Sequence, residues 1–212
     1  MKKKLFLLLL ITGVYTGNAQ TKAITDVGDE VLLYTNGTWK YVNEKAHPSN
    51  HDSVVNINKI PFVKDKLATF LVKSKIINAG IYIVPGEWEF EKGTLNEIME
   101  YHFRIKAKDS YAFAVTEKME IPIENMPDIV LSNVQKKAPD AEIIKTEYRM
   151  VNGTKVLCLR YKGTISGIKF MWLGYYYSSA AGTIQLVAGT SENLFNDNYK
   201  TLESFLNGFV VL

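Results

Sequence analysis

Two of the chain's three Asn-Gly dipeptides, Asn36-Gly37 and Asn152-Gly153, each stand between runs of β-forming side chains, and they commit the chain to folds built on antiparallel hairpins. A type I′ turn needs positive φ at both central residues, which Asn and Gly supply at the least cost. A two-residue loop also sets the register. Around Asn36-Gly37 it predicts Tyr34 opposite Trp39 and Leu32 opposite Tyr41, so that Leu32, Tyr34, Trp39 and Tyr41 share one aromatic face. A lone two-stranded hairpin is marginal in water, and this face is expected to be covered by the main domain or by a partner. These four residues are the candidate partner-binding face. Around Asn152-Gly153 the same counting places Ile144, Tyr148, Met150, Leu157, Leu159 and Tyr161 on one face. Lys145, Glu147, Arg149, Val156, Cys158 and Arg160 fall on the other. Both turns are followed by Thr and match glycosylation acceptors, but turn chemistry already accounts for them.

The N-terminus carries an address. Lys2, Lys3 and Lys4 precede an apolar run from Leu5 to Ile11 and the small-residue close Gly17-Asn18-Ala19, the pattern of a secretory signal peptide cut near Ala19/Gln20. The run is too short to anchor a helix across a bilayer, and Gln20 is not a lipid-accepting Cys. The expectation is an exported, soluble protein, periplasmic or secreted, with no integral membrane segment after cleavage. Losing the three lysines takes the 25 basic side chains to 22, equal to the 22 acidic ones. Without a net positive field, nucleic acid is not an expected partner. Cys158 is the only cysteine, so no intramolecular disulfide can form and packing must supply stability.

Four segments are expected: a signal peptide at 1–19, a β-hairpin module at 20–43, a polar linker at 44–60 and a main domain at 61–212. The linker holds Ser49, Asn50, Asp52 and Asn56 with few large apolar groups and contains Pro48. In the main domain, strands are expected at about 67–73, 80–84, 88–90, 99–107 and 110–117. A helix follows, with Pro127 in its first turn and Pro139 as its stop. The second hairpin comes next, then a strand from Ile168 to Ser178 that is apolar on both faces, then its return through Thr183 to Ala188. An amphipathic helix over about 193–207 closes the chain, with Phe195, Tyr199, Leu202, Leu206 and Phe209 as its buried stripe.

No motif names a reaction. His47 and His51 with Asp52 have a spacing that could gather a metal on a helix, but Pro48 and polar neighbours read as solvated linker, and no metal or other cofactor is expected. His102 reads as a strand histidine. Cys158 lies across from Glu147 among Lys145, Arg149 and Arg160, where cations would lower a thiol pKa, yet its Val-Leu-Cys-Leu setting reads as a small buried hydrophobe. Asn193, Asn196, Asp197 and Asn198 read as helix-capping residues rather than a calcium loop. Trp172, Tyr175, Tyr176 and Tyr177 are the candidate ligand groove, set against the plainer reading that most of them are strand core.

The element order, an early Trp88 strand, and the stretches Gly174-Tyr-Tyr-Tyr-Ser-Ser179, Thr190-Ser-Glu-Asn-Leu-Phe195 and Phe205-Leu-Asn-Gly-Phe209 resemble exported PsbP-like proteins over roughly residues 65–210. The resemblance implies an α+β fold, an antiparallel sheet sandwiched between helices, here preceded by an N-terminal β-hairpin. It also implies a non-catalytic role as an extrinsic subunit or adaptor, with no functional residue to carry over. The segment from Thr25 to Tyr41, ending Gly37-Thr-Trp-Lys-Tyr41, resembles a short module of uncharacterised Gram-negative envelope proteins. The functional expectation is therefore a non-enzymatic envelope binding or assembly factor with a protein partner. The alternative is a binder of a small hydrophobic or aromatic molecule, or a weak enzyme, using a pocket near the Trp172 to Tyr177 strand.

Overall fold

The computed structural model describes residues 21–24, 30–34, 39–42, 55–93, 99–105 and 108–212, and the chain divides into two units, Met1–Ala46 and His47–Leu212. In the first unit β1 (Thr21–Ile24), β2 (Glu30–Leu33) and β3 (Trp39–Tyr41) form a sheet in that order, so the expected hairpin gains a third strand. The β2–β3 register also departs from expectation: Leu33 pairs with Trp39, Leu32 with Lys40 and Val31 with Tyr41. An odd number of residues separates Leu33 from Trp39, where a two-residue turn requires an even one. Because side chains alternate with period two, this one-residue slip reassigns the faces. Trp39 and Tyr41 share theirs with Val31 and Leu33, Leu32 falls on the opposite side, and Tyr34 lies past the end of β2. The aromatic pair itself persists, edge to face with ring centroids 5.2 Å apart. The signal segment, the Asn36-Gly37 turn and His47, His51 and Asp52 lie outside the described residues.

The second unit contains β4 (Ile57–Phe62), β5 (Phe70–Lys73), β6 (Ala79–Ile83), β7 (Trp88–Lys92), β8 (Met99–Ile105), β9 (Ser110–Glu117) and α1 (Met126–Gln135). After these come β10 (Glu142–Val151), β11 (Thr154–Ile165), β12 (Ile168–Ser179), β13 (Gly182–Ser191), α2 (Glu192–Leu206) and β14 (Phe209–Val211). Eight strands form one sheet in the order β4-β10-β11-β12-β13-β9-β8-β7, and β14-β6-β5 form a second. The large sheet is mixed, because β4 runs parallel to β10 while the other pairs are antiparallel. β4 also corrects the linker, whose last residues, from Ile57 to Ile60, belong to the sheet. Its polar pattern reads as linker because it is an edge strand, and Pro61 is tolerated there beside a register shift.

Alternation along the central strands divides the apolar side chains between two cores. One gathers Leu157, Leu159, Tyr161, Trp172, Tyr176 and Val187 with Met126 and Val130 of α1. The other gathers Val156, Cys158, Leu173, Tyr175 and Leu186 with Phe195, Leu202, Phe205 and Leu206 of α2, and with Ile81 and Phe209 of the small sheet. The unit is thus mostly sheet with two helices, and the small sheet takes part of the face expected for helix alone. Phe209, expected on the closing helix, opens β14 and pairs with Ile81. Asn193, Asn196, Asp197 and Asn198 lie within α2 rather than capping it. The N-cap is Ser191, which makes no side-chain cap bond.

The second Asn-Gly turn behaves as its chemistry requires. Asn152 and Gly153 have φ of 47° and 84°, and pairing runs in the expected register from Val151–Thr154 to Lys145–Arg160. It shifts between Ile143 and Lys145, which leaves Ile144 exposed while Ile143 packs on the core instead. Asn152 does more than turn the chain. Its Nδ2 donates to the carbonyls of Asn207 and Phe209 at 2.7 and 2.8 Å, and its Oδ1 accepts from the Lys64 amide at 2.9 Å. A glycan on that nitrogen would displace one of these bonds. Asn152→Ala should lower stability by about 2–3 kcal/mol in urea unfolding, since buried backbone groups lose partners. Asn152→Asp should cost more, because it turns a carboxylate toward two carbonyl oxygens.

Candidate functional site

Along β10 the two-residue period sends Lys145, Glu147 and Arg149 to the face that α2 covers. β11 sets Cys158 opposite Glu147 and Arg160 opposite Lys145, and β12 sets Tyr175 beside Cys158. α2 adds Tyr199 and Glu203, four residues apart on one side of the helix, and β4 adds Asn58 and Phe62. The Arg149 side chain, 3% exposed, sits at the centre. Its Nε donates to Glu147 Oε1 at 2.6 Å. Nη1 donates to Tyr175 Oη at 2.9 Å and to Glu203 Oε1 at 2.7 Å, and Nη2 donates to Tyr199 Oη at 3.3 Å. The guanidinium also lies over the Phe62 ring, 4.2 Å from its centroid. The acceptors are held in turn. Lys145 Nζ meets Glu147 Oε2 at 2.9 Å, where Asn58 Nδ2 also donates, and Tyr175 donates to Asn207 Oδ1.

Burial and charge set the protonation states. Burial pushes the Cys158 thiol up to about 12 despite the opposing Arg149 charge, so the sulfur is a neutral, packed group and no nucleophile. Burial raises Tyr175 and Tyr199 as well. For Glu147 burial works against ionisation, yet hydrogen bonds from Lys145 and Arg149 outweigh it and hold the carboxyl below its ordinary value. The arrangement is a self-satisfied ionic core with a small cleft of about 20 Å³ at its rim, lined by Lys145, Arg149, Cys158, Arg160, Leu173 and Tyr199.

The candidate groove is not one surface. Tyr175 belongs to the core under α2, Trp172 and Tyr176 belong to the core under α1, and Tyr177 packs on Phe209 with centroids 5.7 Å apart. Trp172 stacks on Tyr161 and Phe170 and donates Nε1 to Tyr111 Oη at 3.1 Å. Successive residues of a strand cannot line the same wall, and both walls are filled. His102 is paired across strands with Glu91, Nδ1 to carboxylate 3.6 Å. Sequence reading missed an aromatic patch joining the two sheets, where Phe70 and Phe90, 48% and 41% exposed, lie 5.7 Å apart. The alternation of Phe90 with Glu89 and Glu91 was its one local signal.

No known sequence family and no curated protein matches the chain. Among solved structures it is similar to the cyanobacterial PsbP protein CyanoP of Synechocystis, with TM-score 0.52 and 13% identity over 70% of this chain and 95% of that one. It is also similar to a Pseudomonas aeruginosa protein of unknown function described as a putative regulator, with TM-score 0.42 and 11% identity over 67% of this chain and 97% of that one. A protein from Bacteroides thetaiotaomicron gives TM-score 0.39 and 8% identity over 64% of this chain and 45% of that one. The likeness to CyanoP supports a PsbP-like fold.

Arg149→Met should destabilise the unit by about 3–5 kcal/mol in urea unfolding, because it leaves the Glu147 and Glu203 carboxylates without their shared cation. The thiol supplies a pH test. An unfolded cysteine titrates near 9.0 and the folded one near 12, so its contribution is intact below about 9 and is lost as pH rises toward 12. Native protein at pH 8 should therefore resist a thiol reagent that labels the urea-unfolded chain at once.

Proposed function

We propose that this protein is an exported, non-enzymatic binding or assembly factor of the cell envelope that engages a protein partner through Trp39 and Tyr41. The observation that carries the reading is the edge-to-face pair these rings make on a small sheet belonging to its own unit of the chain. Trp and Tyr supply large contact area at low entropic cost, which is why interfaces are enriched in them. Two further points support it. The side chains best suited to chemistry around Arg149 are bonded to one another, and the thiol among them is held neutral. The PsbP-like fold, a large mixed sheet with two helices preceded by a small separate sheet, suits an extrinsic subunit or adaptor. The lysine-rich start with its short apolar run supports export, and no helix among the described residues is long and apolar enough to cross a membrane.

The test is a cross-linking capture from the envelope of the native host, comparing the wild-type chain with a Trp39→Ala, Tyr41→Ala variant. A discrete partner captured by the first and lost by the second is the expected result, and equal capture by both would refute docking through this face. Mass spectrometry of the mature protein should find Gln20 at its N-terminus.

A further inference from the structure

We infer that the cleft beside Arg149 is an oxyanion site, taking one oxygen of a carboxylate or phosphate group between Lys145 and Arg160. These two cations are direct cross-strand partners on the same face of the sheet, an arrangement that costs energy unless negative charge lies between them. Three of the four oxygens of the local carboxylates are already committed. Glu147 Oε1 is taken by Arg149, its Oε2 by Lys145 and Asn58, and Glu203 Oε1 by Arg149 and Tyr199. Three cations, Lys145, Arg149 and Arg160, therefore face two carboxylates, and the surplus charge resides at Arg160.

Arg160 supplies the decisive detail. Its Nε is shielded from solvent and bonds no protein acceptor, and among the described residues it is the one such buried side-chain atom that belongs to a charged group. The others are the hydroxyls of Ser110, Thr116 and Tyr176. A buried cationic donor without an acceptor is costly, and an anionic oxygen removes that cost while balancing the surplus charge. A water molecule would satisfy the bond but leave the charge.

The shape of the cleft fits the same ligand. At about 20 Å³ it admits a single water-sized group, so an oxyanion enters by one oxygen and keeps the rest of itself outside. Cys158 and Leu173 give it an apolar lining that weakens competing hydration, and the surrounding positive charge excludes cations. Elements on every side contribute: Lys145 and Arg149 from β10, Cys158 and Arg160 from β11, Leu173 from β12 and Tyr199 from α2.

The test follows the Arg160 Nε–H resonance of the 15N-labelled full chain during separate titrations with sodium phosphate, sodium acetate and sodium chloride at matched ionic strength. A saturating shift with phosphate or acetate, and none with chloride, is the expected result. Whichever saturates at lower concentration identifies the oxyanion chemistry. No saturating shift, or the same shift with chloride, would overturn the site and leave the cleft to water. Calorimetry with the better titrant then compares Lys145→Gln, at a half-exposed position, with Arg160→Lys, which keeps the charge and deletes the orphan donor. Each should weaken binding about tenfold, as loss of one charge-assisted bond implies. Unchanged affinity in both would equally overturn it.

Discussion

A guanidinium cannot shed its proton to escape a core, so burying Arg149 obliges the rest of the unit to bring neutralising groups to it. Those groups come from four separate places: Glu147 two residues away on β10, Tyr175 on β12, Tyr199 and Glu203 on α2, and the Phe62 ring on β4. No two of those elements are adjacent in sequence. The ionic core therefore acts as a positional constraint, requiring α2 to lie across the sheet at one angle and one depth. Buried ion pairs contribute little net stability compared with apolar packing, but a wrong arrangement would strand charges, and that penalty discriminates against misplaced helices.

How far local chemistry carries a reading is shown by the two Asn-Gly turns. At Asn152-Gly153 both residues take positive φ and the pairing follows the turn for most of β10, until the shift at Ile143 transfers burial from Ile144 to its neighbour. At β2–β3 the same dipeptide misleads by one residue, in a short sheet where a third strand also pairs with β2. The difference is physical. The long hairpin carries buried residues on both faces of β11 and on one face of β10, so a slip would expose core side chains, whereas three- and four-residue strands specify register weakly. Polar edge strands such as β4 are the hardest to read, because an edge position asks little of its side chains.

The site was legible only in part. Strand periodicity places Lys145, Glu147, Arg149, Cys158 and Arg160 on one face, and that grouping is correct. The burial of Glu147, Arg149 and Cys158 is not visible locally, since it depends on a helix that begins more than thirty residues after Arg160. The aromatic run from Trp172 to Tyr177 illustrates the converse: composition suggests a surface, but alternation in a doubly covered strand divides the rings between two cores.

The parallel edge strand bears on the order in which the molecule assembles. Asn58 reaches Glu147 across 89 positions of sequence, and a parallel pair of this separation closes a long loop before gaining any bond. A chain made from its N-terminus thus holds β4 unpaired until β10 and its hairpin exist, while the β10–β13 meander can form from local contacts alone. Phe62 lies on β4, so the ring reaches the Arg149 guanidinium only where β4 and β10 pair. Closing the edge of the sheet and covering the buried charge are one and the same step.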